Sequence, residues 1–335
     1  MVHYAVLANP GHNRVYFEQS GGLSLAELEV ALGRFSTPCG EIGGKSIAGI
    51  PYVTFAAEAP LSPADLARLS RLSFLYALFV EEGREDAPRL LPVALPDTAY
   101  LPPEVSRILK YTGKTNELFT RLMINIALNS GAYADEPLPR LLDPVAGRGT
   151  TLFEALVWGC SAAGIEIGDK AVGDTAVYFK RFLETEKYKH TFHKERISGE
   201  NRSFTAVMHT FALAPSKEDW SGGNTRELRL VAGNSRYADA FFRKNTFHAL
   251  VGDLPYGVQH GNVTRENQSS LTRNPRELLT ACLPAWRKVL KPGAALVLAW
   301  NTLVFPRAEM AALLADQGFE VKAGGPYDRF SHRVD

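Results

Sequence analysis

The sequence predicts a doubly wound α/β domain preceded by a smaller α+β domain. Apolar strand-like runs near positions 141, 164, 230, 250 and 297 alternate with helical segments, which is the pattern of a parallel sheet covered by helices. A glycine turn directly follows the first of these runs. Residues 81–103 hold five prolines and a charge cluster, which is typical of a linker. We therefore expect domains at residues 1–105 and 106–335.

Composition restricts the partners of this chain. Its 335 residues are 45% apolar, and its 37 basic and 36 acidic residues leave a formal charge of +1, so a polyanion site must be a local patch. The three cysteines lie far apart, which argues against a disulfide framework or a zinc site and favours a reducing cytoplasm. Neither a membrane-spanning run nor a signal peptide pattern is present, and His190 and His193 have no further metal ligands nearby.

Residues 1–105 read as strands with one or two helices, which predicts a ferredoxin-like α+β domain. Ser24 can cap a first helix, and Glu27 three positions later would complete a capping box. A second helix begins at Ser62 and Pro63 and is predicted to continue through the apolar residues up to position 80.

The α/β domain is organised around residues 138–156, LPRLLDPVAGRGTTLFEAL, which read as strand, glycine turn and helix. Gly147 and Gly149 permit positive φ and a close backbone approach, and the helix start offers free N–H groups to an anionic ligand. A dinucleotide-binding fingerprint is disfavoured because Leu152 stands where the third glycine would be. A P-loop is disfavoured because the sequence lacks the G-K-S/T that this motif requires. Glu166, at the end of the next strand, can bind two ribose hydroxyls, and Asn234 can contact an adenine edge.

Two flanking segments remain open to interpretation. The helix after Thr115 or Asn116 carries an apolar face that covers the sheet, and Lys114 precedes its polar cap. Residues 171–202 read as a helix and an insertion in which basic and aromatic residues alternate, as on a nucleic acid surface. Because four glutamates offset more than half of this charge, a solvated helix face with ion pairs is the preferred interpretation.

These motifs together resemble the class I S-adenosylmethionine (SAM) methyltransferases, and Asp253-Leu254-Pro255-Tyr256 resembles the (D/N)PPY motif of enzymes that methylate exocyclic amines. An aromatic amine is a poor nucleophile because its lone pair is delocalised into the ring. Asp253 and a main-chain carbonyl near Leu254 or Pro255 can accept its N–H groups and direct the lone pair at the methyl group. Pro255 fixes the turn, and Tyr256 offers a stacking face for a flipped base.

Over residues 110–303, the combination of KYTGKTNELFTRLMINIALNSG, LLDPVAGRGTTLFEA, GIEI and DLPYG resembles the THUMP-associated RNA methyltransferases, including the tRNA guanine-2-amino methylases and their bacterial relatives. It implies a Rossmann-like class I methyltransferase sheet that binds SAM, with a THUMP-like RNA-binding region before it. The implied catalytic residues are Asp253, Leu254, Pro255 and Tyr256. The implied cofactor-binding residues are Thr115, Asn116, Phe119, Thr120, Asp143, Ala146, Gly147, Gly149, Thr150, Glu166, Ile167, Asn234, Ser235 and Asp253.

The resulting hypothesis is methylation of an exocyclic base amine in RNA, most readily guanine N2 in tRNA, without a metal or a membrane partner. The alternatives are a DNA amino-methyltransferase, an rRNA guanine-N2 methyltransferase and a non-catalytic RNA-binding protein. A small activator subunit is left open. Two departures from the family stand out, since residues 35–110 are short for a complete THUMP domain and position 254 is Leu where many relatives carry Pro.

Overall fold

The computed structural model describes residues 1–10, 21–84, 87–107, 114–254 and 275–331. They form two compact units. The first comprises Met1–Thr98 and the described residues from Lys322 onward, and the second comprises Ala99–Val321. The sequence-based division lay between residues 105 and 106 and assigned the whole C-terminal end to the second domain.

The first unit contains an antiparallel five-stranded sheet in the order β2-β3-β1-β4-β5. Its described elements are β1 (Val2–Ala8), α1 (Gly21–Leu32), β2 (Cys39–Ile47), β3 (Ile50–Ala57), α2 (Pro63–Leu69), β4 (Leu75–Arg84) and β5 (Ala87–Val93). The first six of these have the βαββαβ order of a ferredoxin-like unit, and β1 lies between β3 and β4 as that arrangement requires. The predicted α+β architecture is therefore confirmed.

The second predicted helix is too long. Ser62 caps α2 as expected, because its side chain accepts a hydrogen bond from the Asp65 backbone N–H at 3.1 Å, but the helix ends at Leu69. Residues 75–80 belong to β4, where Leu78 is buried beside β1. Half of the expected linker is also strand, since β5 pairs with β4 at the sheet edge, where Pro88 and Pro92 are tolerated.

The capping box at Ser24 is also wrong. Within the described residues helix α1 spans Gly21–Leu32, so Ser24 and Glu27 both lie inside it and are buried. The Glu27 carboxylate accepts hydrogen bonds from the backbone N–H and the hydroxyl of Ser73, at 2.9 and 2.5 Å. A buried carboxylate needs such donors, and Glu27 finds them far along the chain.

The second unit is built on a seven-stranded sheet in the order β12-β11-β6-β7-β10-β9-β8. Its strands are β6 (Arg140–Asp143), β7 (Ser161–Glu166), β8 (Lys189–Ser198), β9 (Thr205–Ala214), β10 (Arg226–Ala232), β11 (Phe247–Asp253) and β12 (Leu290–Ala299). Its described helices are α3 (Glu104–Arg107), α4 (Glu117–Ser130), α5 (Thr150–Val157), α6 (Asp169–Thr185), α7 (Lys217–Ser221), α8 (Ala238–Phe241), α9 (Pro275–Val289) and α10 (Arg307–Asp316).

The five strands predicted from the apolar runs are the parallel part of this sheet. Strands β12, β11, β6, β7 and β10 pair in parallel, which confirms the Rossmann-like prediction. The insertion adds two antiparallel strands, because β9 pairs with both β10 and β8. The interpretation of residues 171–202 as a helix face therefore holds only for α6, and residues 189–198 form an exposed edge strand.

Helices cover both faces of the sheet. Phe153 of α5 contacts Phe179 of α6, which meets Phe211 of β9 edge-on, and α4 packs beside α5. On the opposite face, Trp286 of α9 and Met310 of α10 are buried in the same core cluster. Among the described residues, no helix combines the length and the apolar composition needed to cross a membrane.

Candidate functional site

The candidate site lies at the carboxyl edge of the parallel strands. Strands β6 and β11 are parallel neighbours, so Asp143 and Asp253, their last residues, end at the same edge. Gly252, the residue before Asp253, packs against Pro144 and Val145, which follow β6. A methyl group on Gly252 would lie 3.5 Å from both Pro144 and Val145. The segment that leads into the glycine turn and the end of β11 therefore lie side by side at this edge.

The glycine turn has the predicted conformation. Gly147 has φ +51° and Gly149 has φ +85°, values that residues other than glycine rarely adopt. Gly149 donates its N–H to the carbonyl of Ala146 at 2.7 Å, and Thr150 then begins α5. Gly147 is exposed, and a methyl group built on it would meet nothing within 4 Å. The outer surface of the turn is thus open to a ligand.

Glu166 is held against this turn. One of its carboxylate oxygens accepts the N–H of Gly147 at 3.0 Å, and the other accepts the N–H of Gly168 at 2.8 Å. The following residue, Ile167, is an apolar side chain with 43% of its surface exposed. An acidic group and an exposed apolar side chain therefore flank the turn, an arrangement that suits a ribose and the base attached to it.

Asp143 is buried at the base of the turn. Burial raises the pKa of its carboxyl group to about 7, hydrogen bonds from the Thr151 side chain and the Val145 N–H oppose that rise, and the negative charges of Asp253 and Glu166 add to it. The Val145 N–H lies 3.0 Å from the Asp143 carboxylate. Three acidic groups thus interact at one edge, and a positively charged ligand would relieve their repulsion.

The side chain of Asp253 is held by a hydrogen bond from Thr115, which lies just before α4. The Thr115 hydroxyl donates to a carboxylate oxygen of Asp253 at 2.7 Å. The sequence assigned Thr115 to the cofactor, and its polar cluster gave no signal of this contact, which joins positions 138 residues apart. Leu254 is fully buried, and its N–H donates to the Ala299 carbonyl at 2.9 Å. Pro255 and Tyr256 lie outside the described residues.

The other predicted contacts on α4 serve the helix itself. Asn116 is the N-cap, and its side chain accepts the N–H groups of Leu118 and Phe119 at 2.8 and 3.3 Å. Phe119 is buried, and Thr120 is fully buried with no hydrogen-bond partner for its hydroxyl among the described residues. Their structural role is clear, whereas their role toward a cofactor stays a prediction.

Asn234 and Ser235 lie just after β10, next to β7 in the sheet. The Asn234 side chain accepts the Arg236 N–H at 3.0 Å and so caps its own turn. The buried Ser235 hydroxyl accepts the Trp286 indole N–H at 2.9 Å. Both residues lie near the edge where the adenine contact was predicted. In this structure their side chains form hydrogen bonds with Arg236 and Trp286 of the protein itself.

The arrangement can hold a cationic, ribose-bearing molecule on one side and a hydrogen-bond donor on the other. Asp143, Gly147 and Glu166 surround the first position, while Asp253, aligned by Thr115, supplies an acceptor at the second. No group of three side chains that could hold a metal occurs within the part of the chain that the structure describes. His190 and His193 lie on β8, three residues apart on opposite faces of the strand.

Comparison with known proteins found distant structural similarities. No family model matches the chain, and no curated protein matches it in sequence. A solved SAM-dependent methyltransferase from Agrobacterium tumefaciens is similar at 16% identity and TM-score 0.34, over 71% of this chain and 57% of that one, so this chain spans little more than half of that structure. TrmN from Thermus thermophilus is similar at 11% identity and TM-score 0.41, over 92% of each chain. Similarities this distant do not determine a function.

Proposed function

We propose that this protein is a SAM-dependent methyltransferase that acts on an exocyclic base amine of RNA, most readily guanine N2 in tRNA. The observation that carries the proposal is that β6, which leads into the glycine turn, and β11, which ends at Asp253, are parallel neighbours with their carboxyl ends at one sheet edge. There Gly252 leaves only 3.5 Å between an added methyl group and Pro144 or Val145. A donor on the turn and a nucleophile on Asp253 would thus be neighbours.

The described residues fit the cofactor. Gly147 leaves open space beside a free surface of the turn, and Glu166 already accepts N–H groups there, as it would accept ribose hydroxyls. Asp143, Asp253 and Glu166 concentrate negative charge that a cationic ligand would stabilise. When bound, SAM would supply an electrophilic methyl group on a positively charged sulfur.

Asp253 would act on the amine. Its carboxylate would accept an N–H of the target amine and thereby turn the nitrogen lone pair toward the methyl group. The nitrogen would form a new bond to the methyl carbon, and the sulfur would leave with the electron pair of the carbon–sulfur bond. The surplus proton on the nitrogen would pass to the Asp253 carboxylate. The hydroxyl of Thr115, 2.7 Å away, would hold the carboxylate in this orientation.

RNA is the proposed substrate because the sequence resembles the THUMP-associated methyltransferases over residues 110–303. DNA amino-methylation is the second candidate, and an assay with both nucleic acids separates the two. We further propose that the ferredoxin-like unit, Met1–Thr98, contributes to RNA binding. The sequence at its start, YAVLANPGHNRVYFEQSGGLSLAELEVALGRF, resembles the N-terminal ferredoxin-like segment of the same family.

A methyl-transfer assay with labelled SAM, purified protein and either bulk tRNA or duplex DNA tests the proposal. We expect label in tRNA, with N2-methylguanosine as the product by mass spectrometry. Asp253→Ala should lower kcat by about 10²- to 10⁴-fold, whereas the Kd for SAM should rise far less because Asp143 and Glu166 remain. Asp174→Ala, at an exposed site of α6, is the matched control and should retain activity.

The outcomes separate the candidates. Label in DNA alone would favour the second candidate. SAM binding without transfer to either nucleic acid would contradict the enzyme proposal and support a non-catalytic role. Full activity of Asp253→Ala would remove Asp253 from the mechanism while leaving the activity itself established.

A further inference from the structure

The loop at residues 300–306 leaves the sheet beside the candidate site. Asp253 pairs with Ala299, the last residue of β12, and Leu254 donates its N–H to the Ala299 carbonyl at 2.9 Å. The loop therefore starts one residue after the partner of Asp253. The loop thus leaves the sheet at the same edge as Asp253.

Hydrogen bonds hold the loop in one shape. The Asn301 carbonyl accepts the N–H groups of Val304 and Phe305 at 3.1 and 3.0 Å, and the Asn301 side chain accepts the Leu303 N–H at 2.9 Å. The Trp300 indole donates to the Phe305 carbonyl at 2.8 Å, and the Phe305 side chain is buried in the core. The tip is thus fixed at both ends.

That fixed tip carries apolar side chains into solvent. Leu303 has 93% of its surface exposed, the highest value among the large apolar side chains in the described ranges, and Val304 has 48% exposed. Single exposed apolar residues are common on proteins, but this one combines near-complete exposure, a hydrogen-bonded loop and a position next to a reaction centre.

We propose that Leu303 is a wedge that contacts the RNA beside the target nucleotide. A base whose amine must reach Asp253 has to leave its stack, and proteins that unstack bases insert apolar side chains into the space that opens. Leu303 would fill that space and keep the target base turned out, which makes it a positioning residue. This inference rests on the proposed function and adds to it a structured, stacked target site.

Steady-state kinetics on bulk tRNA test the wedge. Leu303→Ala should lower kcat by about tenfold, whereas the KM for tRNA and the Kd for SAM should change by less than about threefold, because the wedge acts after binding. Leu303→Met, which keeps an apolar side chain of similar size, should restore most of the rate. Val177→Ala, at a 70% exposed apolar position on α6, is the matched control and should match the wild type.

Each remaining outcome counts against the inference. A wild type that labels tRNA together with an equally active Leu303→Ala variant would overturn the wedge alone. A wild type that labels no RNA would overturn the proposed function, and the wedge with it. A wild-type dimer that Leu303→Asp converts to a monomer in sedimentation would assign the tip to a contact between two copies. An altered melting temperature of Leu303→Ala would assign it to the fold.

Discussion

Replacement of Thr115 by valine tests whether the alignment of Asp253 matters for catalysis. The substitution keeps the shape of the side chain and removes the hydroxyl that donates to Asp253 at 2.7 Å. A hydrogen bond to a charged group contributes about 1.5–3 kcal/mol. Because Thr115 is half-buried, we take the lower part of that range, about 1.5–2 kcal/mol, which corresponds to a loss of about 10- to 30-fold in kcat.

The assay is methyl transfer to bulk tRNA at saturating SAM, together with calorimetric titration of SAM. Thr115→Ser keeps the hydroxyl and should retain most of the rate. A double-mutant cycle with Asp253→Asn should be strongly non-additive, because the two side chains act through one contact. The reasoning is refuted if Thr115→Val turns over like the wild type. It is also refuted if its loss appears as weaker SAM binding, since Thr115 would then be the cofactor contact that the sequence suggested.

Two further substitutions test the turn and its acidic base. Gly164→Ala would place a methyl group 2.5 Å from Leu152 and 2.8 Å from Ala146, so we expect the free energy of unfolding to fall by about 1–3 kcal/mol in denaturant titration and SAM to bind more weakly in calorimetry. Gly173→Ala is the matched control, because a methyl group there meets open space and should not destabilise the protein. Equal behaviour of the two variants would contradict the packing argument. Asp143 has a pKa of about 7 when folded, above its unfolded value, so the ionised form destabilises the fold and stability falls as pH rises toward 7. Asp143→Asn should therefore raise the melting temperature of the cofactor-free protein relative to wild type at about pH 8 but not at about pH 4, and a pH-independent difference would refute this.

The sequence was sufficient for the parallel sheet and for the edge where the site lies. Apolar runs that alternate with helices predict a parallel sheet, and the carboxyl ends of parallel strands such as β6 and β11 lie at one edge. The conformation of Gly147 and Gly149 was also predictable, because a strand followed at once by a helix needs a tight turn with positive φ.

Local patterns misled where distant partners decide the structure. Residues 75–80 have apolar residues that suit a helix, yet they form β4 because β1 offers an unpaired edge beside them. Glu27 stands at capping-box spacing from Ser24, but its donors come from Ser73, which no short window contains. The charges of residues 189–198 fit a solvated helix as well as an edge strand, and only pairing with β9 separates the two.

The candidate site divides in the same way. Residue types and spacing pointed to Gly147 and Glu166, because a bound nucleoside needs a close backbone approach and an acceptor for its ribose hydroxyls. The resemblance of Asp253-Leu254-Pro255-Tyr256 to the (D/N)PPY motif pointed to Asp253. Tertiary structure alone decided that Thr115 holds Asp253, that the Ser235 hydroxyl serves Trp286, and that Asp143 is buried among like charges. Hydrogen-bond partners and pKa values depend on which atoms lie within a few ångströms, and the order of residues along a chain does not record those distances.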